Sequence, residues 1–376
     1  MTDYDEQRGR LAEAMDERGA WPARSPWIRR AVDALPRHRF APDRLWRWNG
    51  HTYVPVDRDA DSEQWAAEVY ASPDAAAVTQ VTDGVPSSSL SAQGVVVDML
   101  DSLLVEPGDR VLELGAGTGW NAALLAERAG PGCVVSVEVD AELAAAAAER
   151  LKAAGAEVAV EVGDGAAGWP PGAPYDRLIS TYAVSTVPWA WVEQTRPGGR
   201  IVTPWGRMGH VALTVADDGR SATGWMQGLA MFMPARGARP ALGWRQIHGD
   251  GPPDDQRPFG RNLDPLREDA HLLFALRVHL PDVQVTTGVD ADGVNVWLHD
   301  GVASWATLTT LPGGQAIAYQ GGPRRLADEL EPAWDWWASE GGPTPYDFGM
   351  TVEPDRQYVW CRDASTGPRW PVEATA

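Results

Sequence analysis

The stretch Val111-Leu112-Glu113-Leu114-Gly115-Ala116-Gly117-Thr118-Gly119-Trp120 constrains this chain more than any other. A short apolar run carries an acidic residue near its end, glycines then fall at every second position, and a helical pattern follows from Asn121 to Arg128. That is the pattern of a buried parallel strand entering a tight turn that opens a helix. Glycines allow the sharp turn and let backbone approach a ligand with no Cβ in the way. Nineteen residues past Gly119, the apolar run Cys133 to Val137 ends in Glu138, a carboxylate at the tip of a second strand and placed to accept hydrogen bonds from ribose hydroxyls. The dinucleotide fingerprint G-x-G-x-x-G fails, because Trp120 stands at its third glycine position. A phosphate cradle of the G-x-x-x-x-G-K-[ST] kind is absent as well.

Around this turn the pattern alternates strands and helices. Strands are predicted at 110–114, 133–138, 157–162, 176–181, 200–204 and 210–216, with helices between them, notably Ala141 to Ala154. The class is α/β, a doubly wound and mostly parallel sheet. Ligands of such sheets lie beyond the carboxyl ends of the strands. Glu113, the glycine turn, Glu138, Gly163-Asp164-Gly165 and Thr181-Tyr182-Ala183 all fall at that edge. Upstream, residues 5–35 read as two helices broken at Trp21-Pro22, residues 43–75 as Trp-rich and irregular, and Asp83 to Ser91 as a polar loop of small hydroxyl residues. Ser91 is expected to cap the helix Gln93 to Leu104, and His38 to be a capping or surface residue.

Beyond Pro240 the composition changes. Gly249 to Pro258 reads as a linker, residues 265–280 as helical, and Val283 to Val289 with Val294 to His299 as a hairpin around Asp290-Ala291-Asp292-Gly293. Two more strands at 303–309 and 315–320, a helix over 323–339 and a final strand pair complete an α+β domain. The expected division is a helical and irregular segment over 1–80, the glycine-turn domain over 81–240, and this α+β domain over 241–376, assigned to peptide-substrate recognition. Net charge of −20 and a pI near 4.7 exclude a typical nucleic-acid binder, which needs basic surface. The two cysteines form no disulfide framework, and no apolar run reaches membrane-spanning length. The expectation is a soluble cytoplasmic protein with no membrane partner.

The run E-x-G-x-G-x-G resembles motif I of class I S-adenosylmethionine (SAM) methyltransferases, whose ligand has a ribose but no phosphate. The resemblance narrows further, over about residues 30–237, to protein L-isoaspartyl O-methyltransferases. Pro36-Arg37-His38 to Phe40 and Pro42 resemble that family's segment ahead of the catalytic loop. Ser89-Leu90-Ser91-Ala92 stands where the family has Thr-Ile-Ser-Gln or Thr-Ile-Ser-Ala. Gly163-Asp164-Gly165 resembles the adenine-side motif. Tyr175-Asp176 to Thr181 and Arg196-Pro197-Gly198-Gly199-Arg200 to Pro204 resemble its second and third motifs. Met231-Phe232-Met233-Pro234 resembles the closing strand. The resemblance implies a Rossmann-like SAM methyltransferase with S-adenosylhomocysteine as product and no metal. It assigns Leu90, Glu113, Gly115, Gly117, Gly119, Trp120, Glu138, Val139, Asp164, Gly165 and Thr181 to the cofactor. Ser91 and Ser89 would orient the acceptor carboxylate, and Ser88, Tyr182 and Val184 would contact the substrate.

Departures from the family point to a subgroup. Gln93 replaces the usual proline, Ser89 the usual threonine, and the domain after 240 is foreign to the repair enzyme. The serine-rich stretch, Phe348-Gly349-Met350-Thr351-Val352 and Gln357 to Trp360 resemble homologues encoded beside ribosomally made, modified peptides, namely graspetides, lanthipeptides and lasso peptides. That resemblance implies methylation of an aspartate in a cyclic or cross-linked precursor peptide, the ester then closing to an aspartimide, with or without hydrolysis to isoaspartate. General isoaspartyl repair, a small-molecule methyltransferase and a SAM-binding protein without turnover stand as alternatives. A carboxylate with a pKa near 4 is already ionised at neutral pH, so no general base is required. Catalysis can come from alignment and exclusion of water.

Overall fold

The computed structural model describes residues 3–206, 208–236 and 242–372. The chain divides into two compact units, Met1–Arg236 with Met350–Gln357, and Gly237–Gly349 with Tyr358–Ala376.

The first unit begins with α1 (Asp3–Glu17) and α2 (Trp27–Ala34). Trp27, Ile28, Ala31 and Val32 form the buried stripe of α2, the i, i+4 spacing that an amphipathic helix requires. The region read as irregular is ordered. It holds β1 (Arg44–Trp48), β2 (Tyr53–Asp57) and α3 (Ser62–Val69), the last capped by the Asp61 carboxylate accepting from Gln64 N–H. The hydroxyl segment is a strand. β3 (Ala77–Thr82) and β4 (Val85–Leu90) form an antiparallel hairpin, and the small sheet runs β2-β1-β3-β4, leaving β4 at an edge. Ser91 does not cap α4 (Gln93–Leu103); Ala92 occupies the cap position and no side chain bonds there. His38 is neither a cap nor free at the surface, because its Nδ1 lies 2.7 Å from the Tyr70 hydroxyl.

The large sheet then assembles from β5 (Val111–Leu114), α5 (Trp120–Ala129), β6 (Val134–Glu138), α6 (Ala141–Ala154), β7 (Val158–Val162), β8 (Tyr175–Ser180), α7 (Trp189–Gln194), β9 (Thr195–Trp205), β10 (Gly209–Val215) and β11 (Ala222–Leu229). Its order is β7-β6-β5-β8-β9-β10-β11. Strands β5 to β9 pair in parallel, and β10 runs antiparallel to both neighbours. All four residues of β5 are buried, as expected of a strand covered on both faces. Asp140 caps α6 by accepting from Glu142 and Leu143 N–H at 3.0 and 3.2 Å, and Gly155 ends it in the left-handed conformation. The closing strand is β11 and not Met231–Pro234, where Pro234 makes only an isolated bridge with Ala183. Met350–Gln357 returns to this unit.

In the second unit, α8 (Trp244–His248) precedes β12 (Asp255–Phe259), inside the stretch read as a linker. Then come α9 (Pro265–Glu268), α10 (Ala270–His279), β13 (Gln284–Val289), β14 (Val294–His299), β15 (Trp305–Thr310), β16 (Ala316–Gly321) and α11 (Leu326–Ser339). The sheet is antiparallel in the order β12-β16-β15-β14-β13. Leu272 and Leu276 of α10 and Leu326, Leu330 and Trp334 of α11 share a core with Val296, Leu298, Leu308 and Ala318 of the sheet. The final strand pair begins with β17 (Phe348–Glu353), which the topology sets beside β11, with Thr351 Oγ1 3.0 Å from Thr223 Oγ1. No described helix is long and apolar enough to cross a membrane.

Candidate functional site

The turn between β5 and α5 takes its shape from three glycines in the left-handed region, Gly115 at φ 95°, Gly117 at 53° and Gly119 at 88°. At Gly115 the requirement is steric as well as torsional, because a Cβ would collide with Thr181 Oγ1 and the Tyr182 ring. Gly115 N–H donates to the Val137 carbonyl at 2.8 Å, which ties the turn to β6. Glu138, at the end of β6, accepts from Gly117 N–H at 3.0 Å through one oxygen and from Asp140 N–H at 3.2 Å through the other. The carboxylate is therefore fixed against the turn.

Three residues assigned to the cofactor do other work with their side chains. Glu113 is fully buried, with Oε1 accepting from Asn121 Nδ2 at 2.8 Å and Oε2 from Ser136 Oγ, so its carboxyl joins β5, α5 and β6 beneath the turn. Burial pushes its pKa up to about 7, against the opposing effect of those two hydrogen bonds. The Trp120 indole is 1% exposed and donates to the Leu35 carbonyl at 2.8 Å, so only its main chain borders the turn. Thr181 Oγ1 donates to the Gly115 carbonyl at 2.7 Å and braces the turn from β8.

Of the other assigned residues, Tyr182 reaches this frame, its ring beside the Cβ position of Gly115. Asp164 accepts from Ala166 N–H at 2.9 Å, and Gly165 lies under the Tyr182 hydroxyl with no room for a Cβ. Tyr182 stands edge-on to Trp191, ring centroids 6.4 Å apart, and Trp191 Nε1 donates to the Gly165 carbonyl at 2.8 Å. Val139 is half exposed beside Glu138, whereas Leu90 and Val184 are buried. Val184 N–H is held by the Pro204 carbonyl at 3.2 Å.

The serine strand reaches the same turn. A Cβ built on Gly117 would lie 3.9 Å from the Ser89 carbonyl and 4.0 Å from Ser88 Oγ. Ser88 is buried, while Ser89 and Ser91 are half exposed. Behind Ser91, the fully buried Arg37 donates Nη1 to its carbonyl at 2.8 Å and Nε to the Val69 carbonyl at 3.2 Å. Its guanidinium lies 4.9 Å over the Trp120 ring. Arg37 thus joins the end of the serine strand to the first residue of α5. Burial lowers its pKa to about 10, which leaves it a cation at neutral pH. On the opposite wall, the Gln357 carboxamide makes a reciprocal pair with Val187, accepting from its N–H at 2.9 Å and donating to its carbonyl at 2.5 Å. Sequence reasoning missed the roles of Arg37 and Gln357; for Arg37 the Pro-Arg-His segment was the available signal.

Chemically, the arrangement offers a glycine turn with a fixed carboxylate against it and the Ser88 hydroxyl and Ser89 carbonyl close to its middle glycine. Residues 22–237 match the family described as protein-L-isoaspartate(D-aspartate) O-methyltransferase. Protein-L-isoaspartate O-methyltransferase 1 of Archaeoglobus fulgidus is 34% identical over 238 residues, 62% of this chain and 95% of that protein. The protein of that name from Methylorubrum extorquens is 37% identical over 183 residues, 49% of this chain and 68% of its own length. A solved structure titled protein-L-isoaspartate O-methyltransferase shares the fold, with a TM-score of 0.53 at 20% identity, and the alignment covers 95% of this chain and all of the other. That coverage extends past residue 240, so a second unit is not in itself foreign to proteins of this name.

Proposed function

This chain belongs to the protein-L-isoaspartate(D-aspartate) O-methyltransferase family, a SAM-dependent carboxyl O-methyltransferase by that membership, and we propose that it methylates the free carboxylate of L-isoaspartyl residues in proteins or peptides. The observation that supports this reading best is the approach of Ser88 and Ser89 to Gly117, which brings an acceptor-orienting strand against the cofactor turn.

The residues present fit the cofactor. The three glycines at positive φ allow a tight turn packed against Thr181 and Tyr182 with no room for a Cβ at Gly115, and Glu138 is held where a diol can be recognised. Gly115, Gly117 and Gly119 would hold it through the main chain, Glu138 through its carboxylate, and Val139, Asp164 and Gly165 on the adenine side. When bound, SAM supplies a methyl group on a sulfonium sulfur, which a carboxylate oxygen takes up to give a methyl ester and S-adenosylhomocysteine. The protein moves no proton in this step, because the acceptor is already an anion. Its contribution is alignment by Ser89 and Ser91, a wall formed by Tyr182 and Val184, and exclusion of water. The second unit we assign to the peptide; Trp297, Thr307 and Tyr319 stand in register on neighbouring strands, offset by one residue from the core positions Val296, Leu308 and Ala318.

A second reading, methylation of an ordinary aspartate in a ribosomally made, modified peptide with closure to aspartimide, is favoured by the acceptor segment alone. Ser87-Ser88-Ser89 and the buried Gln93 depart from the family pattern there. Incubation with SAM and a matched pair of synthetic hexapeptides, one with L-isoaspartate and one with L-aspartate, separates the readings by mass spectrometry. Gain of a methyl group on the isoaspartyl peptide alone is the expected result. Methylation confined to aspartate in a constrained peptide, followed by loss of methanol, would transfer the conclusion to the second reading. Methylation of neither, with S-adenosylhomocysteine bound tightly, would refute both.

A further inference from the structure

Arg236 follows directly on the segment that pairs with the wall of the site. Ala183 N–H donates to the Met233 carbonyl at 2.8 Å and Ala235 N–H to the Ala183 carbonyl at 3.0 Å. From there the guanidinium reaches acceptors on three further segments. Nη1 donates to Asp140 Oδ2 at 2.8 Å, just past β6. Nη2 donates to Gln80 Oε1 on β3 at 2.6 Å and to the Ser87 carbonyl on β4 at 3.1 Å.

Each of these acceptors is fixed from another side. Ser87 Oγ donates to the same Gln80 oxygen at 3.0 Å, so the carboxamide is shared between strand and arginine. Asp140 caps α6 and passes its own N–H to Glu138 Oε1 at 3.2 Å. The other Glu138 oxygen holds Gly117 N–H at 3.0 Å. An unbroken series of hydrogen bonds therefore runs from the glycine turn through Glu138, Asp140 and Arg236 to the serine strand. That strand is an edge strand, held by ladder bonds to β3 only, and its pairing with β3 is irregular on both sides of Gln80. On such an edge, side-chain ties supplement the ladder in holding the register: the Ser87–Gln80 bond, Arg37 at the Ser91 carbonyl and Arg236 at the Ser87 carbonyl.

We propose that Arg236 is a positioning residue, which sets the serine strand against the ribose-side carboxylate so that occupancy of the cofactor cradle is transmitted to Ser88 and Ser89. The planar guanidinium is suited to this because it serves three acceptors at fixed angles, which a lysine ammonium on a flexible stem does not. Asp140 neutralises it at 2.8 Å, so it acts by holding the strand rather than by attracting the anionic acceptor. Displacement of an acceptor-aligning group by a fraction of an ångström is enough to slow an in-line transfer.

This inference rests on the reading of Glu138 and the serine strand as the two sides of the site, and its test has an arm that needs no peptide. Hydrogen–deuterium exchange of the 77–90 hairpin is measured with and without S-adenosylhomocysteine in wild type, Arg236→Ala and Arg236→Lys. Wild type should show slower exchange when the product is bound. Arg236→Ala should lose that response while binding the product within about threefold of wild type, and Arg236→Lys should recover it only in part. In turnover of the isoaspartyl hexapeptide, Arg236→Ala should lower kcat/KM for the peptide about tenfold and leave the SAM KM nearly unchanged. Equal protection in wild type and Arg236→Ala, or no protection in either, overturns the proposal, as does an unaltered kcat/KM for the peptide. If wild type turns over neither hexapeptide, the functional reading fails, and the exchange arm still decides the role of Arg236.

Discussion

Replacing Glu113 by glutamine tests whether the carboxyl beneath the cofactor turn acts as a structural hydrogen-bonding group rather than as a ligand. The side chain is fully buried, and burial carries its pKa from 4.5 to about 7. At about 1.4 kcal/mol per pH unit, holding it ionised in the fold costs roughly 3 kcal/mol relative to the unfolded chain. The folded state therefore binds a proton that the unfolded state has released between these two values. Stability from this group is fully present below pH 4.5 and is lost as pH rises through about 7. Glutamine has the shape of the protonated acid, can accept from Asn121 and can donate to Ser136 Oγ, and does not titrate. The difference between the two proteins cancels other titrating groups, such as Asp98, raised to about 6 by burial, and His210, lowered to about 4. Because the chain has two units, amide exchange protection of Val111–Leu114 is a better readout than a single global unfolding transition. Near pH 5 the two proteins should agree within roughly 1 kcal/mol, and near pH 8.5 the variant should be more stable by about 2–3 kcal/mol. A difference that does not change with pH, or one that favours wild type at high pH, would refute the buried-acid account.

Three further outcomes can be checked by direct binding and stability measurements. Glu138→Ala should weaken S-adenosylhomocysteine about 10- to 100-fold by calorimetry, as expected for loss of a charged hydrogen-bond acceptor; unaltered affinity would remove the ribose assignment. Gly115→Ala should abolish measurable cofactor binding, because the new Cβ meets Thr181 Oγ1 at a positive φ that costs roughly 1–3 kcal/mol for any other residue. Gln357→Ala leaves the buried Val187 amide and carbonyl without their partner and should lower the melting temperature of the first unit by several degrees, for a loss of about 1–3 kcal/mol. A melting curve that does not move would mean the Gln357 clamp is replaced by water.

The parallel sheet was legible because its strands are buried on both faces and read as continuous apolar runs, as in Val111–Leu114. Helix α6 was legible to the residue, since Asp140 and Gly155 mark its ends with the side chains that caps require. The serine strand was not, because Pro86 and three serines have poor strand propensity. It exists through its pairing with β3, which no local pattern announces. The paired strands within 43–75 were hidden similarly, their Arg44 and Asp57 partners reading as solvated polar residues. At the site, the motif marked the glycine turn and the acidic end of β6 that bonds to it, but not where each side chain turns. Trp120 and Thr181 lie in the turn while their side chains face Leu35 and the Gly115 carbonyl. Arg236 and Gln80 are 156 residues apart, so their pairing had no sequence signal at all.

The return of Met350–Gln357 to the first unit has a consequence for how the protein is made. A ribosome that has just released Arg236 must still synthesise roughly 110 residues before the missing strand emerges, on the order of 6–20 s at usual elongation rates. Throughout that interval the flank of β11 is an open strand edge, which invites pairing with a neighbouring nascent chain. In chain order, most of the second unit, Gly237–Gly349, is made before Met350–Gln357, and the rest of it, Tyr358–Ala376, after. A gene cut after codon 236 would therefore encode the first unit without Met350–Gln357 and leave the flank of β11 unpaired.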